Sequence, residues 1–177
     1  VLVNSGISEY GTDAERLRQR GTPAHNTVTI NDADSSEVWG GFGVGRRARP
    51  LGLWVGNSDH TMKVSCSHDG YSRLSGRPVH RRFWHFSPGE LKVTDTIEGH
   101  FDRARARFHF HPDVDVQAAA DGFGAALKGG QRMKIGISGG GAAIISTTWH
   151  PQFGLSQPNQ CLEVVFKSPR IETVFSW

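Results

Sequence analysis

His25, in the triplet Ala24-His25-Asn26, is the side chain best suited to chemistry, because a neutral imidazole is a good ligand for a borderline-soft metal ion. One histidine cannot hold zinc, and the plainer reading is a hydrogen bond within a loop. A second pair, His109 and His111, is spaced to share one strand face, as the ligands of a cupin-like metal sandwich would. Arg18, Arg20, Arg46, Arg47, Arg81 and Arg82 carry guanidinium forks that dock carboxylates or sulfates through two parallel hydrogen bonds. Arg20 and Arg46 flank His25; most of the six are expected to be solvated rim charges. Neither Tyr10 nor Tyr71, the only two tyrosines, is marked as a base. Asp69-Gly70 reads as a tight turn. Five tryptophans (Trp39, Trp54, Trp84, Trp149, Trp177) read as core and edge packing rather than as sugar-stacking rings.

These side chains need a scaffold, and the pattern describes strands. Val28 and Ile30 alternate with Thr27 and Thr29; Leu51, Leu53 and Val55 alternate with Gly52 and Gly56; Met62 and Val64 follow a turn. Another strand runs from Leu91 toward Ile97. In Arg103–His111 the apolar set Ala104, Ala106, Phe108 and Phe110 faces one way and Arg103, Arg105, Arg107, His109 and His111 the other. That period of two predicts a half-buried antiparallel strand with its arginine and histidine face in solvent, ended by Pro112. Later strands are expected at 133–138, 142–149, 162–167 and 171–177, with hairpin turns at Gly129-Gly130 and Gly139-Gly140-Gly141. Only Thr12–Gln19 has helical character, capped by Thr12 or Asp13. The fold class expected is all-β: one antiparallel β-sandwich, super-sandwich or jelly-roll-like, with an N-terminal loop and at most one short helix.

At 177 residues the chain suits one domain with a real core. A net charge of +3 favours a polyanion without singling out nucleic acid. No run of 18 apolar residues exists, so no membrane-spanning helix is expected. Cys66 and Cys161 form no zinc or redox motif, and whether they pair is left open.

The run Arg20-Gly-Thr-Pro-Ala-His25-Asn26-Thr-Val-Thr-Ile30, continuing through Asp34-Ser-Ser-Glu37-Val-Trp39-Gly and Arg46-Arg47-Ala, resembles the heparinase II/III-like polysaccharide lyases. A second stretch, Ser67-His68-Asp69-Gly70-Tyr71 to Pro78-Val-His80-Arg81-Arg82, resembles the same family. The resemblance implies the C-terminal β-sandwich portion of a larger enzyme, residues 1–177, N-terminally incomplete. A helical toroid would precede it and carry the catalytic tyrosine and its charge-neutralising partner. It implies no catalytic residue in this chain. It implies a zinc-like divalent ion with His25 as ligand and Asn4, in Val3-Asn4-Ser5-Gly6, standing where the family has an aspartate. An amide oxygen is the weaker zinc donor. Arg20, Asn26, Tyr10, Arg46 and Trp39 are implied to line the substrate side. The partners implied are an acidic polysaccharide and the toroid, and the location periplasmic or extracellular.

Three readings therefore compete. The first is a lyase's β-sandwich, cleaving uronic-acid-containing glycans by β-elimination and inactive in isolation. The second is a glycan-binding or exopolysaccharide-assembly protein on the same scaffold, which Asn4 favours. The third is a free-standing metal sandwich built on His109 and His111.

Overall fold

A computed structural model describes all residues, 1–177. The short helix α1 (Ala14–Arg20) starts where Asp13 accepts a hydrogen bond from the Arg16 amide at 2.9 Å. It ends at Gly21, whose amide returns to the Leu17 and Arg18 carbonyls. A single 3-10 turn, Thr22–Ala24, follows and delivers His25.

Fourteen strands make the rest. β1 (Val28–Ile30) is followed by a two-residue pair, β2 (Val38–Trp39) and β3 (Gly43–Val44). Next come β4 (Pro50–Ser58), β5 (Thr61–His68), β6 (Val79–Ser87), β7 (Glu90–Glu98) and β8 (Ala104–His109). The chain continues through β9 (Val114–Ala119), β10 (Gly122–Leu127), β11 (Arg132–Ser138), β12 (Gly140–Trp149), β13 (Gln157–Phe166) and β14 (Arg170–Ser176). An eight-stranded sheet has the order β4-β5-β6-β7-β14-β11-β10-β9, and a four-stranded sheet the order β1-β8-β13-β12. All their pairings are antiparallel. The expected β-sandwich with one short helix is the fold observed.

The core lies between the sheets. Val28, Ile30, Phe108, Phe110, Leu162 and Val164 from the small sheet meet Val93, Ile135, Ile171 and Phe175 from the large one. Phe108 and Phe175 pack edge to face at 5.4 Å. The large sheet is wider than its cover, so β4 is solvated on both faces, with Leu53 69% and Val55 56% exposed.

Several expectations are corrected. The arginine and histidine face of β8 is not in solvent: Arg107 is 9% and His109 2% exposed. The segment around the 3-10 turn covers it, so β8 is buried on both faces and only Arg103 keeps an exposed side chain. Gly139-Gly140-Gly141 is not a hairpin; β11 and β12 belong to different sheets, and the glycines carry the chain across. β9 and β10 carry too few large apolar residues to stand out in sequence. Three of the tryptophans are not core, with Trp39, Trp54 and Trp177 65%, 52% and 59% exposed, whereas Trp84 packs half-buried against the core. The two cysteines are unpaired thiols, with burial pushing Cys161 up to about 12.

Candidate functional site

The segment Val1–Gly6 is strapped beside the end of β8. The Val3 amide donates to the His109 carbonyl at 2.9 Å, and the His150 amide to the Ser5 carbonyl at 2.7 Å. Gly6 closes the strap with φ +76°, and a Cβ there would sit 1.9 Å from the His150 carbonyl oxygen. Only glycine fits, which gives Val3-Asn4-Ser5-Gly6 a steric reason for its last residue. The strap brings Asn4 to His25, with Oδ1 2.5 Å from Nδ1. Burial, offset only in part by the nearby Arg20 backbone, holds His25 below the ordinary histidine range. The imidazole is therefore neutral at neutral pH, as a metal ligand must be.

Asn4 and His25 alone do not make a zinc site. No group of three or more His, Cys, Asp or Glu side chains is arranged to hold a metal ion anywhere in the chain, and a zinc ion takes four ligands. Nδ1 of His25 is also already engaged by Asn4. His109 is no substitute, since its Nε2 bonds the Pro23 carbonyl at 3.0 Å inside the fold. That buried placement removes the free-standing metal sandwich.

The remaining predicted residues fall into two groups. Arg20 and Asn26 spend their side chains on backbone. Arg20 Nη1 donates to Gly40 O at 2.7 Å and to Trp39 O at 3.4 Å, while Nη2 donates to Gly43 O at 3.0 Å. It thus fixes the β2–β3 turn and with it Trp39. Asn26 donates to Val3 O at 2.9 Å and accepts from the His109 amide at 2.6 Å, pinning strap to sheet. Tyr10, Trp39 and Arg46 instead project to solvent, and Arg46 has only a loose 4.0 Å ion pair with Glu37. Tyr10 stands 5.1 Å from Phe153 and 6.0 Å from Phe42.

Behind this surface lies a polar network. Glu15 takes hydrogen bonds from Arg18 and Gln19, which hold its carboxyl at about 2, and lies 3.1 Å from His150 Nε2. Arg18 also reaches Thr148 Oγ1 at 2.7 Å, tying α1 to β12. The second resembling stretch builds a different cluster. Arg82 forks onto Asp95 at 2.7 and 2.9 Å, and His80 Nε2 meets the same carboxylate at 2.6 Å. Burial raises the Asp95 carboxyl, but Arg82 and His80 outweigh it and hold it at about 2. Arg82, one of the six arginines of which most are expected at the rim, is 5% exposed. Sequence reasoning did not find Asp95, which sits in an ordinary-looking strand; its signal is an acid three residues inside a run otherwise suited to burial. Tyr71 is buried, donating its hydroxyl to Val28 O at 2.6 Å.

The family model described as heparinase II/III-like, C-terminal, matches residues 1–177. The chain belongs to the heparinase II/III-like family. Among solved structures, the family's fold recurs in a heparinase III gene product, with 15% identity and a TM-score of 0.75 over 99% of this chain. It recurs also in the heparan sulfate lyase HepC from Pedobacter heparinus, with 12% identity and a TM-score of 0.77 over 99% of the chain. This chain spans 28% of the length of each of those proteins. No curated protein matches it.

Proposed function

We propose that this chain is the C-terminal β-sandwich of a polysaccharide lyase, completing the cleft in which an acidic, uronic-acid-containing polysaccharide is cleaved by β-elimination. The family match over the whole chain carries the reading. In such a reaction a base removes the proton α to the uronate carboxylate. The electron pair forms a carbon–carbon double bond, and the β-positioned glycosidic oxygen leaves with a proton. The base belongs to a preceding toroid, not to this chain.

What these residues contribute is binding and shape. Arg46 extends a guanidinium toward a carboxylate or sulfate. Arg20 and Asn26 hold Trp39 and the Asn4–His25 contact in register, and Tyr10 and Trp39 offer rings to the polymer. A zinc-like ion at His25 and Asn4 would need ligands beyond those this chain brings together, and no step here depends on it. The setting that goes with such a substrate is the periplasm or the cell exterior.

A second reading, a non-catalytic acidic-glycan-binding or exopolysaccharide-assembly protein, is favoured by Asn4 in place of an acid. The deciding experiment incubates the full-length polypeptide with heparan sulfate and with alginate and follows unsaturated-uronate absorbance. Turnover supports the lyase. Binding without turnover moves the assignment to the second reading. Turnover by residues 1–177 alone would overturn the placement of the base outside this chain.

A further inference from the structure

Arg16 is a buried cation without an anion. It is 6% exposed, and its Nε donates to the Gly41 carbonyl at 3.2 Å. Its Nη1 is also buried and has no hydrogen-bond partner. The other two arginines of α1 are occupied, Arg18 by Glu15 and Thr148 and Arg20 by three carbonyls. A desolvated guanidinium with one carbonyl bond and no carboxylate is costly, and proteins accept that cost where a ligand completes the pairing.

Aromatic rings surround it. Arg16 Cζ lies 5.7 Å from the Tyr10 ring centre and 5.8 Å from that of Phe42. Phe153 extends the row beside Tyr10. These are surface rings: Tyr10, Phe42 and Phe153 are 61%, 70% and 63% exposed. They come from three separate loops held in fixed relation. The Gly154 amide donates to Ser8 O at 2.8 Å, and Arg16 and Arg20 hold the β2–β3 turn against the helix. Fixed, solvated aromatic rings over a cation suit a ligand with both an apolar face and a negative charge. A charged pyranose has both. The nearby Asp13 carboxylate accepts from the Arg16 backbone amide at 2.9 Å, not from its guanidinium, and the guanidinium forms no ion pair.

We infer that Tyr10, Phe42 and Phe153 form a stacking platform for one sugar ring of an acidic polysaccharide, whose carboxylate or sulfate is taken by Arg16. Rotation of the exposed Phe42 side chain opens the guanidinium to the polymer. This deepens the acidic-glycan reading above and rests on it.

The test measures affinity of the full-length polypeptide for a heparan sulfate oligosaccharide and an oligoguluronate, with a neutral glucan as control. Phe42→Ala and Phe153→Ala, at exposed positions outside the core, each weaken acidic-glycan binding about tenfold. Arg16→Lys keeps the charge but loses the fork, and narrows the preference for acidic over neutral sugar. Acidic glycan bound with unchanged affinity by both phenylalanine variants overturns the platform while leaving the acidic-glycan reading intact. No acidic glycan bound by the unaltered protein overturns both. Phenylalanine variants that lose thermal stability but not affinity mean that another part of the polypeptide fills the site, and that also overturns the inference.

Discussion

His80 Nδ1 lies 3.2 Å from His68 Nε2, and the contact fixes the protonation of both rings. Asp95 only accepts, so His80 donates from Nε2 and must accept at Nδ1. His68 then donates from Nε2 and accepts the Gly70 amide at Nδ1. Every ring nitrogen is used with both histidines neutral. Burial, with His80 and Arg82 alongside, holds His68 down at about 4. Below pH 6.5 the unfolded chain takes up protons at these positions while the folded chain does not, so stability falls with acid. His25, His80 and His109 are displaced the same way. Thermal midpoints should be flat above about pH 7 and drop steadily from about pH 6.5 toward pH 4.5. His68→Asn should reduce that slope by on the order of 1–3 kcal/mol over the interval. A midpoint unchanged down to pH 4.5 would refute the neutral pair.

Arg82 and Asp95 form the costliest pair to break. Both are desolvated, and Asp95 also serves His80. Arg82→Met should destabilise by about 3–5 kcal/mol, because it strands a buried carboxylate. Replacing both, Arg82→Met with Asp95→Leu, should recover part of that loss. Urea unfolding of the three proteins distinguishes a stranded charge from a simple loss of packing.

Arg20→Ala should release the turn between Trp39 and Gly43, which three of its hydrogen bonds hold. Amide exchange at residues 39–44 should quicken by at least about tenfold, with little change in the sheets. Lysine should not restore protection, since an ammonium lacks the two-pronged fork with which Arg20 reaches these carbonyls. Exchange no faster than in the unaltered protein would remove Arg20 from this role.

Asn4→Asp places a carboxylate where an amide now touches His25 Nδ1 at 2.5 Å. The opposite charge favours imidazolium, so the His25 pKa should rise, by about 1 unit or more. A proton NMR titration of the ring reads this directly. An unchanged or lower value would show that the strap moves away from His25 when the charge is introduced.

Much of this fold was legible because alternation and glycine placement are local. Val28, Ile30 and the β8 phenylalanines point inward as their period demands, and Asp13 caps the helix its side chain was suited to cap. Burial of the β8 polar face was not legible. Arg107 and His109 look solvated in sequence, and only the chain folding back over them, from 78 or more positions away, supplies Thr29 and the Pro23 carbonyl as partners. For the site, the resemblance located Asn4 and His25 together, but Arg16 lies on α1 and Phe42 and Phe153 on two separate loops. Neither periodicity nor motif spacing joins residues that meet only through the strap and the β2–β3 turn.

The place of β14 also dictates the order in which this polypeptide can assemble. It lies between β7 and β11, with Arg170 opposite Thr96 and Glu172 opposite Ser138. The two halves of the wide sheet, β4 to β7 and β9 to β11, therefore have no shared hydrogen bonds until β14 has been synthesised and inserted. During translation each half waits as an open-edged meander, a state prone to pair with the wrong strand. The late arrival of one seven-residue strand is then the event that converts two sticky ribbons into one continuous layer.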